Sequence, residues 1–222
     1  MRKISCILIL VLLTVFTFTF INPVMAENLF QLVKDGSPEE VQKAVDAGAD
    51  INARITLGWT PLIYAAEFNE NPEVIKVLLD AGADINARHR WGSTPLMTAA
   101  GFNNNPEVIK VLLDAGADIN ARNEDGWTPL MIAAESNSNP EVIKILLGEG
   151  ADINARTKDG VTPLMIAAES NNNPKVINFL LNNGADGSLE NNYGKTAFDY
   201  AKDNEHLKST DTYWRLNEAQ YE

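Results

Sequence analysis

Thr-Pro-Leu occurs at Thr60, Thr94, Thr128 and Thr162, each copy 34 residues after the one before, and one further step lands on Thr196-Ala197-Phe198. A period of that size points to one small supersecondary unit copied along the chain. Such a unit buries its apolar face only by stacking on its neighbours. The copies therefore fold together as a single domain.

Within a copy, the ends of two short helices are written locally. The Thr60 hydroxyl can cap the first helix, and Pro61 suits the first helical position, where no amide donor is needed. Asn71, Pro72 and Glu73 repeat the arrangement for a second helix, with a carboxylate near its positive end. Val74, Ile75, Leu78 and Leu79 give that helix an apolar face, and Gly82 supplies a left-handed stop. One copy later the same phase predicts that Leu112 and Leu113 are both largely buried. Ala83-Asp84-Ile85-Asn86-Ala87-Arg88 and its later copies read as extended turns between helix pairs. The predicted class is all-α, a solenoid of stacked helix-turn-helix units joined by extended β-type turns.

Gly58-Trp59-Thr60-Pro61-Leu62, the paired alanines after it, and Glu73-Val74-Ile75-Lys76-Val77-Leu78-Leu79-Asp80-Ala81-Gly82 running into Ala83–Arg88 closely resemble the ankyrin repeat. The resemblance extends from Glu27 to about Ala201. It departs from the family pattern at the fourth signature position, where Ile63, Met97, Met131 and Met165 replace a histidine and its loop hydrogen bonds. The methionines are expected to pack inward. The period also exceeds the family's usual one by a residue, absorbed in asparagine-rich turns such as Asn103-Asn104-Asn105, to which no role beyond turning is assigned. Gly187-Ser188-Leu189-Glu190 breaks the pattern, so a looser last turn is expected. The units run over about 27–57, 58–91, 92–125, 126–159, 160–193 and 194–222. The first and last are caps, with Tyr213, Trp214 and Leu216 expected to pack the final helix.

Residues 1–26 differ from the rest. Arg2 and Lys3 precede an apolar run from Ile7 to Phe20, and Val24-Met25-Ala26 has the spacing of a cleavage site, which predicts a secretory signal peptide cut before Glu27. The alternative is a retained membrane tether, long enough only if Ser5, Thr14, Thr17 and Thr19 are counted into it. Cys6 lies too early to become the lipidated first residue of a mature chain. The expected location is outside the cytoplasm, periplasmic or secreted. The lack of any Asn-x-Ser/Thr site favours a bacterial periplasm over a eukaryotic secretory route.

The formal net charge is −12, becoming −14 once Arg2 and Lys3 leave, and such a field repels nucleic acid and anionic lipid. Cys6 is the one cysteine, so a cleaved chain has neither disulfides nor thiol chemistry. Asp50, Asp84, Asp118 and Asp152 recur once per copy in the same turn, which spaces them along the stack, whereas calcium needs about 6 to 8 oxygens in one place. His89 and His206 are read as surface residues with no metal or nucleophile spacing. No phosphate loop or nucleophile elbow is present. No cofactor and no catalysis are expected.

The ankyrin resemblance implies instead a partner protein held against the turn tips and first helices by a monomeric scaffold. By position those tips include Trp59, His89, Arg90, Trp91 and Trp127, the first helices offer Glu67, Phe68, Phe102, Glu135 and Glu169 at their exposed ends, and Tyr64 adds a further aromatic in the second unit. Ser136 and Ser170 take the places of the two phenylalanines in later copies, so the aromatic end is the candidate patch. Trp59 and Trp127 have an alternative role in packing on the neighbouring unit, and Phe68, Trp91 and Phe102 could instead be core. An inhibitor or toxin-type binder of an exported enzyme would use the same surface.

Overall fold

A computed structural model describes residues 29–221. The predicted leader and its cleavage point lie outside the described residues. Helix α1 covers 29–35, followed by α2 (Pro38–Asp46), α3 (Pro61–Phe68), α4 (Pro72–Asp80), α5 (Pro95–Phe102) and α6 (Pro106–Asp114). Next come α7 (Pro129–Ser136), α8 (Pro140–Gly148), α9 (Pro163–Ser170), α10 (Pro174–Asn182), α11 (Ala197–Ala201) and α12 (Asp211–Ala219). No strand forms among the described residues.

The caps act as the sequence predicts. Thr60 Oγ1 accepts from the Ile63 amide at 3.3 Å, and Asn71 Oδ1 accepts from the Glu73 amide at 3.0 Å. Gly82 closes α4 at φ 87°, a conformation a side chain disfavours. Odd-numbered helices from α3 to α11 stack into one layer and even-numbered helices from α2 to α12 into another, with the apolar core between them. Met97, Met131 and Met165 are buried, at most 1% exposed; Met165 joins this core, and Met131 a smaller cluster with Ala155 and Ile166. In place of the family's histidine bonds, the sulfurs of Met131 and Met165 accept from the Thr128 and Thr162 amides at 3.4 Å.

One burial expectation fails. Leu112 is fully buried, but Leu113 is only half-buried and touches the margin of the core. In α6 the inward face is formed by Val108, Ile109 and Leu112, and Leu113, one turn on from Ile109, lies about 40° past the edge of that face.

The asparagine-rich turns do more than turn. Asn103 is 1% exposed, and its Nδ2 donates at 3.0 Å to the carbonyls of both Ala66 and Asn69, in the preceding copy. Its Oδ1 accepts from the Asn105 amide. Asn69, Asn137, Asn171 and Asn204 reach back in the same way. The acceptors include carbonyls at the C-terminal ends of odd-numbered helices, which have no partner within the helix. A second series points forward: Arg54 Nη1 donates to the Arg88 carbonyl at 2.7 Å, and Arg88 and Arg122 repeat the bond one copy on.

The extended turns double back as fingers, with bonds such as Asn123 N to Trp127 O at 3.0 Å, and successive fingers join through Arg90 N to Leu57 O at 2.7 Å. The turn at Gly187 is not loose. Asp186 Oδ1 accepts from both the amide and the hydroxyl of Ser188, and a Cβ on Gly187 would sit 2.6 Å from Ala219 Cβ, so the glycine lets α12 close over the end. On α12, Leu216 is buried and Tyr213 meets Phe198 with ring centroids 5.0 Å apart, but Trp214 is 60% exposed and does not pack as expected. Its position, between the inward-facing Thr212 and Leu216, turns it to solvent.

Candidate functional site

The fingers and the open flanks of the odd-numbered helices enclose two hollows. The first, about 360 Å³, lies between Trp59, Trp91 and Phe102, with Met97 and Ile132 beneath and Glu67 at one wall. The second, about 400 Å³, lies towards the C-terminal end, with Trp127, Ile166 and Tyr200 beside Glu135, Glu169 and Lys158.

A chain of aromatic rings leads to the first hollow. Phe30 meets Tyr64 edge-on with centroids 5.7 Å apart, Tyr64 meets Phe68 at 4.7 Å and Trp59 at 6.0 Å, and Trp59 lies 5.4 Å from the His89 ring. His89 then meets Trp91 edge-on at 5.3 Å. Each contact is in the range where aromatic pairs attract beyond simple burial. The ammonium of Lys34 sits 5.4 Å from the centre of the Phe68 ring.

Trp59, Trp91 and Phe102 are thus brought together, while Tyr64 joins them through its ring contact with Trp59 and Phe68 only through Tyr64. Arg90 is not part of that group and lines a shallow hollow at the finger tips with Arg54, Leu57 and Arg88. Trp127 belongs to the second hollow and packs on the cluster of Met131, Ala155 and Ile166. Trp59 and Trp127 are half-buried in these contacts, whereas Phe68, Trp91 and Phe102 are 42%, 50% and 55% exposed.

His89 is not the plain surface residue expected. Half-buried between two tryptophans, its ring is held below its ordinary pKa of 6.5 by desolvation, and its Nδ1 accepts from the Trp91 amide at 3.1 Å. That bond requires the lone pair of a neutral ring. Glu67 and Glu135 are likewise half-buried, not at fully exposed helix ends. Desolvation pushes both carboxyls above their usual range. For Glu135 the Glu169 charge adds to the shift and the Ser136 hydroxyl opposes it.

A family model described as Ankyrin repeats (3 copies) matches residues 29–123, 68–157, 96–191 and 130–212. The chain belongs to the ankyrin-repeat family. No curated protein gave a match. Ankyrin repeats mediate protein–protein interaction, and the family is typically non-enzymatic. Among the described residues no group of three or more His, Cys, Asp or Glu could hold a metal ion, and no helix is long and apolar enough to cross a membrane. Within this ankyrin-repeat stack, periodicity did not single out Ile132 or Tyr200, because the same residue types recur at whole multiples of the period, at Ile166 and Tyr64.

Proposed function

We propose that this chain is a non-enzymatic, monomeric scaffold that works outside the cytoplasm and holds a partner protein in the aromatic end of its groove. The observation that carries the reading is the exposure of Trp91 and Phe102 on rigid elements around one hollow, with Phe68 exposed on α3 and linked to it through Tyr64 and Trp59, where later copies carry Ser136 and Ser170 in place of the two phenylalanines. Large exposed aromatics on a fixed frame lose little entropy on binding and dominate many interfaces. Arg2, Lys3, the Ile7–Phe20 run and Val24-Met25-Ala26 support export. The net charge of −12 disfavours nucleic acid and anionic membrane as partners.

The test is affinity capture from the envelope fraction of the native host, followed by binding of the purified partner to F68A, W91A and F102A. These variants should keep their helical circular dichroism and lose binding, by about 2 kcal/mol or more for a central anchor. Folded variants that bind the partner normally would move the site elsewhere. N-terminal sequencing of the protein from its host should find Glu27 first; Met1 would sink the soluble, exported reading.

A further inference from the structure

Odd-numbered helices α3, α7 and α9 carry glutamate at equivalent places, Glu67, Glu135 and Glu169, but α5 carries Gly101 there. A Cβ on Gly101 would lie 2.5 Å from Cγ2 of Ile132, so the glycine lets the next helix advance and Ile132 fills the place of a carboxylate. Ile132 then floors the hollow that Trp91 and Phe102 flank. Along the groove the order is an acid at Glu67, an apolar seat at Gly101 and Ile132, and acids again at Glu135 and Glu169.

We propose, building on the protein-binding reading above, that this groove takes an extended segment of another protein in which an apolar side chain is flanked on both sides by lysine or arginine. The apolar side chain seats on Ile132 between Trp91 and Phe102, and the flanking cations face Glu67 and Glu135. None of the ion pairs among the described residues uses Glu67, Glu135 or Glu169; all lie on even-numbered helices or near the C-terminal end. Lys158 lines the second hollow without pairing with Glu135 or Glu169. Half-buried carboxylates lacking a counter-charge are more costly than exposed ones, and an incoming cation removes that cost. The net charge of −12 attracts a basic segment at long range and opposes a second copy of this chain in the same place.

The experiment selects short random displayed peptides on the full chain and measures the enriched ones by fluorescence anisotropy. Four proteins are compared: wild type, W91A/F102A, E67K/E135K, and E73K/E141K, which makes the same charge change on the outer helices. All four are first shown to share the wild-type helical circular dichroism. The enriched peptides should carry Lys or Arg on both sides of an aliphatic or aromatic residue and be lost on W91A/F102A. They should weaken about tenfold or more on E67K/E135K, and far less on E73K/E141K. Selection on E67K/E135K itself should turn to acidic flanks. Peptides that need Trp91 and Phe102 but show no cationic bias, or that ignore the E67K/E135K change, overturn this inference and leave the protein-binding reading standing. If no enriched peptide depends on Trp91 and Phe102, both fall. A concentration-dependent dimer that W91A dissolves assigns the groove to a second copy and also overturns the proposal.

Discussion

The side-chain amide of Asn103 donates at 3.0 Å to the main-chain carbonyl of Asn69, its own counterpart one copy earlier. A second hydrogen of the same amide group reaches Ala66 O, so one buried side chain satisfies two carbonyls that water cannot reach. Asn103→Ala should therefore destabilise the fold by about 2 to 4 kcal/mol, since orphaned buried polar groups cost about 1 to 3 kcal/mol each. Asn103→Asp should cost more, because it sets a carboxylate against two carbonyls. Urea unfolding checks both, with Asn104→Ala on the exposed neighbour as a control near zero. Equal effects at Asn103 and Asn104 would mean the bonds across copies contribute nothing.

On α6, Leu112→Ala should cost about 3 to 5 kcal/mol, as large-to-small changes at fully buried sites do. The half-buried Leu113→Ala should cost about half as much or less. Lys110→Ala, which loses only an exposed pair with Glu107 at 2.6 Å, should stay within about 0.5 kcal/mol of wild type. Chemical denaturation of the three variants ranks them, and Leu113 exceeding Leu112 would reverse the helix phase described for α6.

Gly187→Ala places a methyl group where Ala219 Cβ and Ala219 O leave 2.6 and 2.7 Å. Overpacking of this kind typically costs about 1 to 3 kcal/mol. The damage should stay local, because only α12 rests on this turn. Hydrogen exchange should accelerate across Asp211–Ala219 while α6 keeps its protection. Unchanged exchange in α12 would show that the close approach is not maintained in solution.

His89 gives the aromatic end a pH response whose direction follows from burial. Its folded pKa lies below the ordinary 6.5, so the unfolded chain takes up the proton first. The stability tied to the neutral ring is present above 6.5 and is lost as pH falls through the lower folded value. Glu67 and Glu135 act in the opposite sense: their raised pKa values give stability that is present below 4.5 and lost as pH rises through their folded values. An NMR titration, with the His89 resonance assigned by its loss in H89Q, should give a midpoint below 6.5. Between about pH 7 and 5 the wild type should lose more thermal stability than H89Q. A midpoint at or above 6.5 rules out a desolvated ring between Trp59 and Trp91.

The elements fixed by local chemistry were legible from sequence: Thr60 and Asn71 as caps, Gly82 as a stop, and Met97, Met131 and Met165 as inward side chains. The bonds of Asn103 and Arg54 were not, because their partners lie 34 or more residues away and asparagine is an equally good turn former. A signal was nonetheless present. Asn69, Asn103, Asn137 and Asn171 are all asparagine, while the next position varies among Glu70, Asn104, Ser138 and Asn172. A turn needs no such constancy at one place and freedom at the next. At the candidate site, periodicity located Trp91 and Phe102 but could not show that Gly101 admits Ile132, since that depends on the distance between two helices.

The two series of bonds across copies have a genetic consequence. Asn103 reaches back one copy and Arg54 reaches forward one copy, so every junction but the last, where Glu190 stands in the arginine's place, is stitched by the same pair of residue types. Duplication or loss of any stretch of 34 residues in the central copies, wherever its endpoints fall, restores both bonds in phase. A slip of any other length leaves amide and guanidinium groups facing the wrong partners. Unequal recombination between such similar stretches can therefore lengthen or shorten the protein in whole steps, extending the groove by one acid or apolar seat at a time.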